Sequence, residues 1–259
     1  MTNLTLKVFP EKAEELKSEL LRRGFYELES PGLKWLLTDG ENTLRLYPSG
    51  TLLIQGKRTE AMKELVLSLI EAPSSTDIGC DESGKGDVFG PLVLCCAVIK
   101  PEYYKKVLSL NMRDCKRMKD EEVLRKADLF RSFGEFRCRL VEPGQLNELY
   151  QKSGNLNRIL DALYGELLEG LFKKYPSASF FVDAYSKKSP FDKRVQFEHR
   201  GEERLAVATA SVLARAEFLT WLRRHNLPKG SSPQVMELAR RIYRRDAQMA
   251  KKLLKTFFL

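Results

Sequence analysis

Two neighbouring carboxylates, Asp81 and Glu82, are the side chains whose types and spacing point most directly to chemistry. They follow a short apolar run and precede a Gly-Lys-Gly turn, Gly84 to Gly86, in the stretch GCDESGKGDVFGPLV. Two acids at the end of a buried strand are costly unless they bind something cationic. Because adjacent strand residues point to opposite faces, both acids could share one ion only if the strand ends or distorts at Ser83 and Gly84.

The same stretch also resembles the start of a phosphate-binding P-loop. Gly79 to Lys85 fits the opening of that motif, but Gly86 stands where a magnesium-binding Ser or Thr is required. The two acids would in addition repel a bound phosphate chain. We therefore expect the glycines to let a sugar-phosphate backbone approach closely, with Lys85 supplying a positive charge.

Asp183 is another acid at the end of an apolar strand, in FFVDAYS. Ligands of α/β proteins gather at the carboxyl ends of strands, so Asp183 can meet Asp81 if the two strands are neighbours. The alternative is a helix N-cap, but the following KKSP does not favour a helix. A third acidic element, with Glu198, Glu202 and Glu203, precedes a helix rich in small residues. Its glutamates either complement the helix dipole or complete a cage of carboxylates.

The near absence of histidine narrows the chemistry. With only His199 and His225 in the sequence, a histidine general base or a His-rich metal site is not expected. Carboxylate ligands favour hard cations such as Mg²⁺ or Mn²⁺. A formal net charge of +9 favours an anionic partner, with nucleic acid first. These features predict phosphoryl transfer on nucleic acid by two ions about 3.5–4 Å apart.

The patterns that position these residues divide the chain in two. The Pro/Ser-rich stretch EAPSSTD predicts a linker, so we place the domains at 1–73 and 74–259. The first domain shows the order β-α-β-β-β-β-α, which predicts a small α+β domain with its helices on one sheet face. The second alternates strands and helices, which predicts an α/β domain with a central sheet and helices on both faces.

Two surfaces are candidates for contact with nucleic acid. Thr43, Arg45 and Tyr47 share one face of a strand in the first domain, where stacking and phosphate contact are possible; an ordinary solvated sheet face is the alternative. From Arg215 to Lys255 the chain has 11 basic and 3 acidic residues. That excess exceeds what a merely solvated helix carries and favours a phosphate-facing surface.

Composition argues against several other classes of protein. We expect no membrane helix, because no apolar run reaches the length that such a helix needs. The N-terminal segment turns acidic at Glu11, which is not typical of a signal peptide. The five cysteines show neither CxxC spacing nor an even count, so neither a zinc ribbon nor a disulfide framework is expected. We expect a cytoplasmic monomer with no membrane partner. Intracellular disulfides stay open as an alternative for a hyperthermophile.

The stretch DESGKGD, Asp81 to Asp87, followed by FGPLV, resembles the signature of type 2 ribonucleases H in the ribonuclease HIII form. Lys85 stands where HII-like sequences usually have arginine. Four further stretches are similar to family sequences and occur in the same order along the chain: RDCKRMKD, GNLNRILDALY, AVATASVLAR and LPKG. In the first of them Cys115 stands where the family usually has serine. The matches span nearly all of residues 76–230. The first domain resembles the family's substrate-binding domain, which has a fold like that of the TATA-box-binding protein.

The resemblance implies an α/β ribonuclease H-like catalytic domain with a central mixed sheet. Such a domain cuts the RNA strand of an RNA/DNA hybrid, leaving 5′-phosphate and 3′-hydroxyl ends. It implies two Mg²⁺ or Mn²⁺ ions, one activating water and one stabilising the leaving 3′-oxygen. The implied ligands are Asp81, Glu82, Asp183 and Glu202, with Glu198 as the alternative fourth acid. The glycine-turn backbone would contact the RNA 2′-hydroxyl. The substrate contacts that we expect are Gly84, Lys85, Gly86, Ser211, Arg45 and Tyr47.

Two other functions remain open at the level of the sequence. A nucleic-acid-binding protein without catalysis would use the same acids as helix caps and ion-pair partners. An enzyme like ribonuclease HII would act at single ribonucleotides embedded in DNA.

Overall fold

Two five-stranded sheets organise the chain in a computed structural model, which describes residues 2–112, 115, 118–199 and 201–259 except for the side chains of Thr2 and Glu202. Part of the stretch RDCKRMKD therefore lies outside the described residues. The first sheet comes from the N-terminal quarter of the chain, and the second is built from residues beyond 76.

The first sheet is antiparallel, with the strand order β1-β5-β4-β3-β2. Alternation of apolar and polar residues produces it: in the fourth strand Leu44 and Leu46 are buried, whereas Thr43 and Arg45 are partly exposed. Its strands are β1 (Thr2–Lys7), β2 (Tyr26–Glu27), β3 (Trp35–Thr38), β4 (Asn42–Leu46) and β5 (Thr51–Gly56). Its helices are α1 (Ala13–Arg22) and α2 (Thr59–Leu69). The observed element order is the one that the sequence patterns predict.

The second sheet is mixed, as predicted, with the strand order β10-β9-β6-β7-β8. β6 pairs with β7 antiparallel and with β9 parallel, so it lies at the centre of the sheet. The strands are β6 (Asp77–Ser83), β7 (Leu92–Ile99), β8 (Glu135–Val141), β9 (Ser179–Asp183) and β10 (Val195–Glu198). All eight residues of β7 are buried, because helices cover both faces of the sheet.

The helices of this second unit follow one another between and after the strands. They are α3 (Tyr104–Ser109), α4 (Asp120–Arg131), α5 (Pro143–Ser153), α6 (Leu156–Lys174), α7 (Leu205–Arg224), α8 (Pro233–Arg245) and α9 (Ala247–Leu253). The sequence patterns predict a basic helical tail over 232–255, and the structure divides this tail into α8 and α9. Two helices form there because Asp246 interrupts the first and caps the second, accepting hydrogen bonds from the backbone N–H groups of Gln248 and Met249.

The helix α7 crosses the sheet closely over β6. A Cβ atom on Gly79 would lie 2.2 Å from the backbone nitrogen of Val207, so only glycine permits this approach. The expectation that no apolar run reaches membrane length also needs correction. By length and composition α7 could cross a membrane, but 83% of its apolar window is buried inside the protein.

Two disulfides join the three antiparallel strands of the second sheet. Cys80 pairs with Cys96 between β6 and β7, and Cys95 pairs with Cys138 between β7 and β8. Each pair occupies directly opposite positions in the strand register. Cys115 keeps its thiol. The expectation of no disulfide framework is therefore wrong for four of the five cysteines, because pairing follows a strand register that their spacing along the chain does not reveal.

Candidate active site

The acids that follow the two central parallel strands lie side by side at the carboxyl edge of the sheet. β6 and β9 are hydrogen-bonded neighbours whose last paired positions are Cys80 and Val182. Asp81 and Asp183 come directly after these positions, and the charge of Asp183 acts on Asp81. The sequence predicts that Asp81 and Asp183 meet if their strands are neighbours, and the strands are neighbours.

The surroundings of Asp81 disfavour its ionised form. Burial raises the pKa of Asp81 well above its usual range, and the charges of Glu82 and Asp183 raise it further. Hydrogen bonds from the Ser211 side chain and from the backbone N–H of Glu82, which is 2.7 Å from Asp81 Oδ1, act in the opposite direction. A cation bound beside Asp81 would act in the same direction as these hydrogen bonds and favour the ionised form.

Glu82 is held separately from Asp81. Sharing one ion would require the strand to end or distort beside these acids, but β6 keeps its regular register past both of them and ends only after Ser83. The two side chains therefore leave the strand in opposite directions. The buried Tyr164 of α6 donates a hydrogen bond to Glu82 Oε2 at 2.8 Å, and burial raises the pKa of Tyr164 well above its usual range, so its proton stays available for donation.

The two candidates for the fourth acid differ in their surroundings. Glu198 lies on β10, directly opposite Asp183 of β9 in the strand register. Its exposed carboxylate lies 3.2 Å from the guanidinium of Arg204. Glu202 follows Gly201, whose N–H donates to Asp183 Oδ1 at 2.8 Å. The backbone that carries Glu202 is thus next to the cluster, whereas its side chain lies outside the described residues.

The Gly-Lys-Gly turn closes one side of the acid cluster. Gly84 has φ +88° and packs against the carbonyl of Pro91, so a side chain is excluded there. No atom lies within 4 Å of a Cβ built on Gly86, which leaves room for another molecule to reach the backbone. The Lys85 ammonium lies 3.9 Å from Glu82 Oε1 and 3.4 Å from the carbonyl of Tyr185.

Residues from distant parts of the chain fix this turn. Asp87 Oδ1 accepts a hydrogen bond from the N–H of Gly230 at 2.6 Å, and its Oδ2 lies 3.8 Å from Arg215. Lys229 donates to both oxygens of Asp120 at 2.7 Å. These contacts bring together four stretches that the sequence marks separately, DESGKGD, RDCKRMKD, AVATASVLAR and LPKG.

These groups line one cleft of about 1150 Å³. Its lining includes Asp81, Glu82, Asp183, Gly84, Lys85, Gly86 and Ser211 from the predicted set. Ser211 lies beside Asp81, to which its side chain is hydrogen-bonded, and its Oγ lies 3.2 Å from Cys115 Sγ. Arg45 and Tyr47 are not among the cleft residues: Arg45 lies on β4 of the first sheet, and Tyr47 directly follows that strand.

The donor set suits a hard divalent cation. Asp81, Glu82 and Asp183 offer carboxylate oxygens, the ligands that Mg²⁺ and Mn²⁺ prefer. A cation would offset the burial and the repulsion that together raise the pKa of Asp81. Within the described part of the chain, no three His, Cys, Asp or Glu side chains are already arranged around one point. The regular course of β6 accounts for this, since it separates Glu82 from Asp81.

Sequence reasoning missed several residues that support the cluster. Tyr164, Asp87 and Arg215 hold Glu82 and the glycine turn, yet none was expected to act at the site. Each is the last residue of a stretch that resembles the family, GNLNRILDALY, DESGKGD and AVATASVLAR respectively. The signal was therefore present in the sequence. What it lacked was the partner that each side chain meets.

Comparison with known proteins connects this geometry to a family. The family model described as ribonuclease HII matches residues 78–252. Ribonuclease HIII of Aquifex aeolicus is 39% identical over 242 residues, which cover 91% of this chain and 93% of that protein. Ribonuclease HIII of Protochlamydia amoebophila is 29% identical over 95% of this chain and 89% of its own length.

Solved structures show the same fold. The crystal structure of Aquifex aeolicus RNase H3 has a TM-score of 0.63 at 38% identity, covering 99% of this chain and all of that one. The structure of Bst-RNase HIII in complex with Mn²⁺ has a TM-score of 0.66 at 23% identity over 98% of this chain and 95% of that one. The ribonuclease H-like fold with a mixed sheet is thereby confirmed.

Proposed function

This chain belongs to the ribonuclease HII family, most similar among the relatives above to ribonuclease HIII, and we propose that Asp81, Glu82, Asp183 and Glu202 form its active site. The protein is an endoribonuclease that cleaves the RNA strand of RNA/DNA hybrids. The observation that carries the proposed site is the adjacency of Asp81 and Asp183 at the ends of neighbouring parallel strands, inside the cleft. Glu202 completes the set by its position after Gly201.

We propose that the four acids hold two Mg²⁺ or Mn²⁺ ions, as the Mn²⁺ complex of Bst-RNase HIII supports. When bound, such ions activate the attacking water and stabilise the leaving 3′-oxygen. The protein's own groups prepare the site: the hydroxyl of Tyr164 holds one oxygen of Glu82, and the N–H of Gly201 holds one oxygen of Asp183. Glu82 and Asp183 therefore each have one carboxylate oxygen fixed by the protein.

The glycine turn is suited to contact the RNA strand. The open space beside Gly86 admits a sugar-phosphate backbone, and Lys85 adds a positive charge that is one-third exposed. We propose that backbone groups of the turn contact a 2′-hydroxyl there, the group that distinguishes RNA from DNA. Asp87 holds the turn in place through Gly230.

We propose that residues 1–73 form a substrate-binding domain with a fold like that of the TATA-box-binding protein, and that 74–259 form the catalytic domain. The antiparallel sheet with both helices on one side supports this, since its other face carries Arg45 and Tyr47. We also propose that the protein is a cytoplasmic monomer without a membrane partner. Light scattering coupled to size-exclusion chromatography measures its oligomeric state.

The test of the site is cleavage by Asp81→Asn. We expect this variant to lose cleavage of a labelled hybrid in Mg²⁺ or Mn²⁺ while still binding the hybrid in a gel-shift assay, because the amide keeps the shape but not the charge. Asp192→Asn, an exposed aspartate paired with Arg194, is the matched control. Full cleavage by Asp81→Asn would refute the site.

The same assay separates the alternative functions. Absence of hydrolysis by the unaltered protein on any hybrid would favour a purely binding protein. Efficient cleavage of a DNA duplex that contains a single ribonucleotide would indicate specificity like that of ribonuclease HII. We expect this protein to cleave that duplex only weakly.

A further inference from the structure

Residues 254–258 are tied to residues 87–90, the segment between the glycine turn and β7. The side chain of Lys255 is fully buried, and its ammonium donates hydrogen bonds to the backbone carbonyls of Asp87 at 2.7 Å, Phe89 at 3.2 Å and Gly90 at 2.6 Å. The backbone N–H of Lys255 donates to the carbonyl of Val88 at 2.8 Å. A buried lysine with this many carbonyl acceptors fixes the two segments to each other.

A second anchor comes from α5. Asn147 accepts a hydrogen bond from the N–H of Thr256 at 2.8 Å and donates one to the carbonyl of Leu254 at 2.9 Å. Tyr150, one turn further on, stacks on Phe257 with ring centroids 4.1 Å apart and an angle of 19° between the planes. The backbone of this segment and the ring of Phe257 are therefore held in place from two sides.

The segment presents an apolar surface to the cleft. Phe257 and Phe258, called here the aromatic wall, both remain partly exposed and both line the cleft that contains Asp81 and the glycine turn. Their ring centroids lie 5.0 Å apart. Large apolar rings beside an acid cluster do not assist the acids. Their position instead suits contact with whatever occupies the cleft.

The chemistry of a hybrid duplex limits what such a wall can contact. Phenylalanine offers no hydrogen bond, so phosphates and hydroxyl groups would lose their hydration against it without compensation. The bases of a duplex are stacked on one another, which leaves the C–H faces of the sugars as accessible apolar surface. Ribose carries a 2′-hydroxyl on the minor-groove side and deoxyribose does not. The wall therefore matches deoxyribose better than ribose.

We propose that the aromatic wall is a deoxyribose subsite, which contacts sugars of the DNA strand while the glycine turn contacts the RNA strand. This inference rests on the proposed function, because it takes the hybrid as the occupant of the cleft. It assigns Phe257 and Phe258 a part in selecting hybrids over RNA duplexes.

The experiment compares two duplexes of one sequence, an RNA/DNA hybrid and an RNA/RNA duplex. Binding is measured by fluorescence anisotropy with Phe258→Ala and with Phe257→Ala/Phe258→Ala, each in the Asp81→Asn background. We expect the double variant to bind the hybrid about tenfold more weakly, as for loss of one aromatic contact to a nucleotide. Binding of the RNA duplex should stay within about twofold. The slope of affinity against salt should not change, because no phosphate contact is removed.

Activity of the same Phe variants with Asp81 intact gives a second readout. We expect KM for the hybrid to rise about tenfold with kcat within about twofold of the unaltered protein. Leu259→Ala, next to the wall but not among the cleft residues, is the matched control and should leave both constants unchanged. Phe258→Trp keeps an aromatic ring and should bind the hybrid as tightly as the unaltered protein, whereas Phe258→Ala should bind it more weakly. If the double variant fails to fold, Phe258→Ala alone decides, since Phe257 carries the stack on Tyr150.

The outcomes separate this inference from the proposed function. Equal weakening for both duplexes, unchanged hybrid binding, or a fall in kcat at constant KM would each overturn the deoxyribose subsite. None of these results affects the catalytic assignment, which fails only if the unaltered protein does not cleave the hybrid or if Asp81→Asn does.

Discussion

Asp81 is an acid whose ionised form is disfavoured by folding. Burial and the charges of Glu82 and Asp183 raise its pKa well above the usual range. A carboxyl group with a raised folded-state pKa binds its proton more tightly in the folded than in the unfolded chain. The free energy of unfolding therefore falls as pH rises from the unfolded value, about 3.9, towards the folded pKa. Divalent ions at the site would offset this loss.

We therefore predict that Asp81→Asn stabilises the metal-free protein at neutral pH, raising Tm by about 2–4 °C for each ~1 kcal/mol recovered. The gain should disappear near about pH 3, where the carboxyl is protonated in both states. Mn²⁺ should raise the Tm of the unaltered protein much more than that of the variant. Calorimetry at both pH values, with Mn²⁺ and with chelator, measures these differences.

Asp192→Asn provides the contrast for this measurement. Its exposed carboxylate is hydrogen-bonded to Arg194, which lowers the pKa of Asp192, so the amide should give no stabilisation at neutral pH. A lower Tm for Asp81→Asn than for the unaltered protein without metal would count against the charge cluster.

Tyr164 illustrates how a buried neutral group can set the geometry of an acid. Its hydroxyl holds Glu82 Oε2, and its ring stacks on Tyr185 with centroids 5.5 Å apart. A hydrogen bond to a charged group contributes about 1.5–3 kcal/mol, so we predict that Tyr164→Phe lowers kcat by about tenfold or more with a smaller change in KM. Titration calorimetry with Mn²⁺ should show weaker binding, which is a readout independent of turnover.

Tyr175→Phe is a matched control, because the hydroxyl of Tyr175 also donates to a glutamate, Glu135, which is not among the cleft residues. It should leave kcat and Mn²⁺ affinity unchanged. Equal kcat and equal Mn²⁺ affinity for Tyr164→Phe and the unaltered protein would show that Tyr164 serves packing alone.

At the scale of secondary-structure elements, β7 is joined covalently to both of its neighbours. Cys95 and Cys96 are consecutive and point to opposite faces, so one disulfide lies on each face of the sheet. The bridges close loops with sequence separations of 16 and 43 residues. In the chain-entropy account such loops contribute about 3 and about 4 kcal/mol. Because Cys80 precedes Asp81, one bridge also fixes the strand that carries Asp81 and Glu82.

We predict that reduction lowers Tm by more than about 5 °C, as loss of several kcal/mol implies for a chain of this length. Thermal unfolding followed by circular dichroism, with and without reductant, measures the shift. Thiol titration should find Cys115 before unfolding and all five cysteines only after denaturation with reductant, since Cys80, Cys95 and Cys96 are buried. Cys115→Ser should keep the response to reductant. Identical Tm values in both conditions would contradict the bridges.

The elements themselves were largely predictable, whereas their partners were not. Period-two alternation identified strands such as β4, and acids after apolar runs identified Asp81 and Asp183. The regular course of β6 past both acids did not follow from the sequence, because a glycine turn permits a distortion beside them without requiring it. Tyr164 and the cysteine pairs were missed because their roles depend on contacts 82, 16 and 43 residues apart. Local patterns carry no information about such contacts.

At the scale of the whole molecule, the two sheets share one apolar core. Buried residues of the first sheet, such as Leu6 and Ile54, belong to the same cluster as Val88 and Phe218 of the second unit. Polar contacts also cross between the two, from Asn111 to the carbonyl of Thr5 at 3.2 Å and from Lys105 to that of Ser68 at 2.8 Å. Deleting residues 1–73 would therefore expose core, and point substitutions test the binding role more cleanly.

We predict that Arg45→Ala/Tyr47→Ala raises KM for the hybrid about tenfold while kcat stays within about twofold, because loss of a stacking and a phosphate contact weakens binding and leaves the acids intact. The slope of log affinity against log salt should fall by about one, the value for one lost phosphate contact. Arg22→Ala removes an exposed charge from α1, on the opposite side of the first sheet, and should change neither constant. A fall in kcat at constant KM would place Arg45 and Tyr47 in a structural role. An unchanged salt slope with a raised KM would assign the binding to Tyr47 alone.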